Sequence, residues 1–117
     1  MDFSALVERQ ISADRRRGFQ VDFDSDAERV AQLEKDLVGL LGEVGEFANV
    51  LKKVSLGMTH TGYKGPSLNK VASSMREELA DALIYLMRLS VVLGGDLEAD
   101  LIQKMRVNES RYGSLER

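Results

Sequence analysis

The sequence predicts an all-α protein, a four- to five-helix antiparallel bundle in a single domain spanning residues 1–117 and assembled as an oligomer. Three observations predict it. The composition is rich in helix formers and carries one proline, four phenylalanines, three tyrosines and no tryptophan. Apolar residues recur at helical spacing through most of the chain. Turn signals divide it into four segments whose connections are short enough to make neighbouring helices antiparallel.

The first helix runs from about Phe3 to Arg17 and ends at Gly18. "DFDSDAE" follows as a turn, in which Ser25 or Asp26 is the N-cap of the next helix. That second helix spans about Ala27 to Val54 and stops at "SLG". The segment Leu56 to Leu68, with "GYKGP" and the only proline, reads as the one long irregular loop. The third helix begins near Asn69 and ends at Gly94 and Gly95. Asp96 caps the fourth, which runs to about Tyr112 before Gly113.

Charge and composition exclude several classes. A net charge of −3 gives no bulk basis for nucleic-acid binding. Without cysteine there are neither disulfides nor thiolate metal sites. Met1 to Gln10 lacks the pattern of a signal peptide, and Leu79 to Leu93, the most apolar segment, is too short to span a bilayer. The expectation is a cytoplasmic protein with no nucleic-acid or membrane partner.

The chemistry lies in the carboxylates. On the second helix, Leu33, Leu37, Leu40, Val44, Phe47, Ala48 and Leu51 gather into one apolar stripe. Glu43 sits at its edge and Glu46 a little further round, among Gly39, Gly42 and Gly45. Side-chain-free positions there would let a neighbouring helix, or phosphates, approach the acids. The third helix, "LADALIYLMRLSVVL", is apolar almost all round and should be buried on most sides, yet Asp81, Tyr85 and Arg88 form one narrow row with Glu78 beside it. An acid on such a helix is costly unless paired or bound to metal. Pairing Asp81 with Arg88 or a neighbouring helix is one account, but it leaves the other acids unexplained.

Two acidic pairs, Glu43 with Glu46 and Glu78 with Asp81, would repel one another if clustered. A hard cation removes that conflict, and an all-oxygen set selects Mg²⁺ or Mn²⁺ over zinc. A di-iron bundle requires histidine ligands on two helices; the only histidine, His60, is in the loop, where it reads as a solvated residue. On the fourth helix Lys104, Asn108 and Arg111 share a face suited to phosphate oxygens and a sugar or base, equally well read as a solvated charged edge. Lys53, beyond Glu46, is a similar candidate. The nearly all-apolar third helix is hard to cover within so small a domain, and a second copy is the simplest cover.

Taken in order, "LGEVGEFANVLKK", "EELADALIYL" and "KMRVNESRY" resemble the motifs of the all-α nucleoside triphosphate pyrophosphohydrolases, the superfamily of MazG-type enzymes, dimeric dUTPases and dCTP pyrophosphatases. The match spans about Ala27 to Tyr112. The resemblance implies that Glu43, Glu46, Glu78 and Asp81 hold Mg²⁺. It implies that Lys53, Lys104 and Asn108 contact phosphates and sugar with Tyr85 near them, and Arg111 belongs to the same basic face. The implied reaction is hydrolysis of a nucleoside triphosphate to monophosphate and pyrophosphate, a house-cleaning activity, in a homodimer or a homotetramer built as a dimer of dimers. Many members carry a further acid just before the first glutamate pair. Gly42 stands there, which leaves Glu46 and Glu77 as the candidates for activating water. Phe19, in "DRRRGF", is a candidate to stack on the base, against the plainer reading of a packed aromatic after a helix end. A phosphoribosyl-ATP pyrophosphatase-like activity and a non-catalytic oligomerisation or nucleotide-binding module remain the alternatives.

Overall fold

The computed structural model describes residues 1–117 and contains four α-helices, α1 (Phe3–Arg16), α2 (Asp26–Thr59), α3 (Leu68–Val92) and α4 (Leu97–Tyr112), with a single 3₁₀ turn at Gly113–Leu115. Each α-helix starts where a short polar side chain satisfies a free backbone N–H. Asp2 accepts from Ala5 N at 2.8 Å, Ser25 from Glu28 N at 3.2 Å, Ser67 from Lys70 N at 3.3 Å and Asp96 from Ala99 N at 3.0 Å. Beyond α1 and α3 the chain reverses through Gly18 and Gly94, whose φ angles of 80° and 77° carry no penalty without a Cβ.

The second helix is longer than the sequence suggests. It passes through Ser55, Leu56 and Gly57 and ends at Thr59, so the irregular segment shrinks to residues 60–67. Packing offsets the cost of a helical glycine here. A Cβ on Gly57 would lie 3.0 Å from Gly65 Cα, so the returning loop rests directly on the helix backbone. Thr59 Oγ1 also donates to Ser55 O at 2.8 Å in the last turn.

The antiparallel hairpin of α2 and α3 is the frame. Its open end is tied by Arg29, whose Nε and Nη2 donate to Val92 O at 3.1 and 2.9 Å and so cap the C-terminus of α3 from the start of α2. The first helix packs against the late turns of α3, and α4 joins it at its own N-terminus, where Glu98 accepts from Ser4 N at 2.8 Å and from the Ser4 hydroxyl. No helix is long and apolar enough to cross a membrane.

The core is thin. Only ten side chains are buried, none of them on α4. The radius of gyration is 18.4 Å, against about 13 Å for a compact domain of this length. Expected burial of α3 on most sides is therefore not met within one chain, where Leu79, Leu83 and Leu86 stay exposed. Only α2 covers α3 along its length, because α1 and α4 reach just one end.

Candidate active site

Helix spacing and the antiparallel hairpin bring together residues 35 positions apart. Glu43 and Glu46 lie one turn apart on α2, and α3 returns Glu78 to face them. One carboxylate oxygen from each falls within 4.8 Å of the others. Glu46 is exposed, while Glu43 and Glu78 are half-buried, and each of these two has a buried Oε2 with no hydrogen-bond partner. None of the chain's ion pairs reaches any of the three. Glu43 first, then Glu46, and then desolvation push the Glu78 carboxyl up to about 8. At neutral pH the metal-free Glu78 therefore keeps its proton, and a hard divalent cation taking that proton's place fits the crowded carboxylates and their unpartnered buried oxygens.

Asp81 stands outside this three-oxygen group. It is exposed and lies with Glu43 on the wall of a cavity of about 400 Å³ that opens between the end of α1, α2 and α3. Phe19 and Tyr85 are the aromatic residues of its lining, and Ile84 adds an aliphatic one. Phe19 is held there by its backbone N–H, which donates to Asp14 O at 2.8 Å, and the residue remains 58% exposed. Tyr85 lies over Gly39 so closely that a Cβ at that position would overlap the phenol ring. Of the three glycines among the acids, only Gly39 is pressed by a neighbour; Gly42 and Gly45 face open space in the single chain.

The cavity floor is a buried ionic triad. Arg88 donates from Nη1 to Asp14 at 2.9 Å, from Nε to Asp36 at 3.0 Å and from Nη2 to Gln20 O at 2.8 Å. Both carboxylates are 3% exposed. Arg88 is thus paired with acids of α1 and α2 and not with Asp81, and the two carboxylates raise its already high pKa against the opposing effect of burial. Gln10 and Gln32 brace the triad, each donating its amide NH₂ to Asp14 (2.9 Å) or Asp36 (3.0 Å). Arg17 is the cation on the lining that no ion pair holds.

Several sequence candidates lie elsewhere in the chain. Glu77 is exposed and belongs neither to the acid group nor to the cavity lining. Lys53, Lys104, Asn108 and Arg111 do not line the cavity, and Arg111 instead stacks on Tyr112 with its guanidinium carbon 5.3 Å from the ring centre. His60 is exposed beside Thr59 at the end of α2. Conversely, sequence reasoning passed over Gln10, Asp14, Arg17, Gln32 and Asp36. A signal was present: Asp36 falls within the apolar stripe between Leu33 and Leu40, a position where an acid needs a buried partner.

The chain is similar in sequence to three curated proteins that share one name. The chain is 34% identical over 110 residues to dCTP pyrophosphatase 1 of Homo sapiens, covering 94% of this chain and 63% of the relative. It is 33% identical over 112 residues to dCTP pyrophosphatase 1 of Rattus norvegicus, with the same coverage of both chains. The Mus musculus protein of that name is 35% identical over 91 residues, 76% of this chain and 51% of the relative. These relatives fit the all-α NTP pyrophosphohydrolase superfamily. The chain spans about three-fifths or less of the relatives' own lengths. No family model matches it, and no solved structure does.

Proposed function

We propose that the chain hydrolyses nucleoside triphosphates to the nucleoside monophosphate and pyrophosphate, as a house-cleaning enzyme, with a divalent cation held by Glu43, Glu46 and Glu78. The observation that carries this reading is the meeting of three carboxylates, without a cation partner, next to a cavity lined by two aromatic residues. Relatives named dCTP pyrophosphatase make dCTP the first substrate to try.

The donor set favours Mg²⁺ or Mn²⁺, with Asp81 as the fourth carboxylate beside the group. When bound, such an ion neutralises phosphate charge and acidifies water. The chain's own residues do the rest by position and charge. Phe19 and Tyr85 flank the base, and Arg17 meets phosphate oxygens. Glu46, the exposed member of the group, orients the attacking water and takes its proton. Glu77 is the weaker candidate for that role, since it lies outside the acid group.

A second copy of the chain completes the protomer. Leu37, Leu41, Val44 and Leu51 on α2 and Leu79, Leu83 and Leu86 on α3 form an exposed apolar surface that one chain leaves uncovered. A homodimer or a homotetramer buries it, and light scattering should find no stable monomer.

A panel of ribo- and deoxynucleoside triphosphates with Mg²⁺, assayed for pyrophosphate, tests the activity. Turnover of at least one member is expected, abolished by chelation and cut at least a hundredfold by Glu46→Gln. Equal silence of wild type and variant across the panel rejects the proposal.

A further inference from the structure

The turn that brings Arg17 and Phe19 to the cavity has no packing of its own. Residues 15–20 are all exposed, and the side chains of Arg15 and Gln20 bond only to Asp22 of the same loop, through exposed contacts worth little. The backbone closes locally on Gly18, at a φ of 80°. Gly18 N donates to Arg15 O at 3.1 Å and Phe19 N to Asp14 O at 2.8 Å, the pairing of a helix ended by a left-handed glycine. Buried Ala13 and Val21 anchor the chain before and after the turn. Between them the tie to the rest of the molecule is one guanidinium. Arg88 Nη1 donates to the Asp14 carboxylate on one side of the turn and Nη2 to Gln20 O on the other, while Nε reaches Asp36 on α2. The helix register then relates this tie to the acids. Asp36 precedes Glu43 by seven residues and Arg88 follows Asp81 by seven, so each lies on nearly the same helix face as its acid, about 10 Å further along.

We propose that Arg88 is a positioning residue for nucleotide capture: by clasping both ends of the Asp14–Gln20 turn it sets Arg17 and Phe19 against the cavity, two helical turns from the carboxylates. This rests on the reading of the cavity as the nucleoside triphosphate site. The guanidinium is committed to Asp14, Asp36 and Gln20 O, so it acts through the turn and not on the substrate. Releasing the turn weakens the hold on substrate and transition state alike, which raises KM and leaves kcat in place. Charge alone does not make the clasp. Lysine keeps the positive charge but offers one ammonium on a flexible stem, where the planar arginine fork meets three acceptors from three parts of the chain in fixed directions.

Trypsin reads the turn directly, because Arg15, Arg16 and Arg17 are its cleavage points. In Arg88→Lys, held well below its melting temperature and checked by circular dichroism for retained helix, cleavage after Arg17 should be about tenfold faster than in wild type. KM for dCTP with saturating Mg²⁺ should rise about tenfold, with kcat within about threefold. Gly18→Val strains the left-handed turn without touching the triad and should reproduce both changes, so the test stands if Arg88→Lys does not fold. The control is Val54→Ala, which opens the core of α2 at a residue outside the cavity lining and should lower stability while leaving cleavage after Arg17 and KM unchanged. A folded Arg88→Lys or Gly18→Val with wild-type cleavage and KM overturns the proposal. Faster cleavage with unchanged KM overturns it too, as does a Val54→Ala variant that matches Arg88→Lys in both. If wild type releases no pyrophosphate, the activity is refuted, and calorimetry with the non-hydrolysable α,β-imido analogue of dCTP takes the place of KM. Binding about tenfold weaker in Arg88→Lys then upholds the clasp, and equal binding rejects it.

Discussion

Replacing Arg88 with methionine removes one guanidinium and strands three acceptors. Asp14 and Asp36 lose their charged donor while both remain 3% exposed, and Gln20 O loses the 2.8 Å bond from Nη2. Breaking a buried ion pair from one side costs about 3–5 kcal/mol, because the remaining charge is left uncompensated. Here two carboxylates share the loss, while Gln10 and Gln32 still donate to them and water can enter from the cavity. A net cost of about 4 kcal/mol follows, which at roughly 4 °C per kcal/mol lowers Tm by about 15 °C. The control is the triple variant Asp14→Leu, Asp36→Leu, Arg88→Met, which removes the charges together with their desolvation cost and should regain most of that loss. Urea unfolding followed by circular dichroism, at one fixed protein concentration, reads both. A loss below about 1 kcal/mol in Arg88→Met, or a triple variant no more stable than the single one, would refute the triad as a buried, mutually dependent unit.

The glycines and the acid group make further predictions. Gly39→Ala must displace Tyr85 and should cost about 1–2 kcal/mol despite the better helix propensity of alanine. Gly45→Ala, facing open space, should instead stabilise by about 0.5–1 kcal/mol, and thermal melts of the two variants compare them directly. In the metal-free chain Glu78 titrates near 8, against 4.5 for the free side chain, so the fold holds a proton that the unfolded chain releases. Its contribution to stability is complete below 4.5 and is lost as pH rises through 8. Mg²⁺ should consequently raise Tm more at pH 8.5 than at pH 6, and a shift that is equal at both or larger at pH 6 contradicts the assignment.

Much of this is legible in the amino-acid sequence alone. Ser25 and Asp96 declare the starts of α2 and α4 because capping is local chemistry, and the glycines after α1 and α3 mark reversals for the same reason. The acid group was legible because i, i+3 spacing on two long helices leaves few ways to arrange an antiparallel hairpin. What escaped depends on contacts distant in sequence. Gly57 looks like a helix stop until Gly65 is folded onto it. Asp81 and Arg88 look like partners on one helix, but Asp14 and Asp36 approach Arg88 from two other helices and take it. Lys104, Asn108 and Arg111 share a helical face on α4, which is tied to α1 through Glu98 in its first turn, and none of the three lines the cavity of the single chain.

The central claim joins the three carboxylates to cleavage between the α- and β-phosphates, and ³¹P NMR of dCTP incubated with the protein and Mg²⁺ tests it most directly. The account predicts deoxycytidine monophosphate and pyrophosphate appearing in equal amounts, with at least a hundredfold slower conversion by Glu43→Gln. Deoxycytidine diphosphate with orthophosphate as products, or undiminished conversion by that variant, would contradict it.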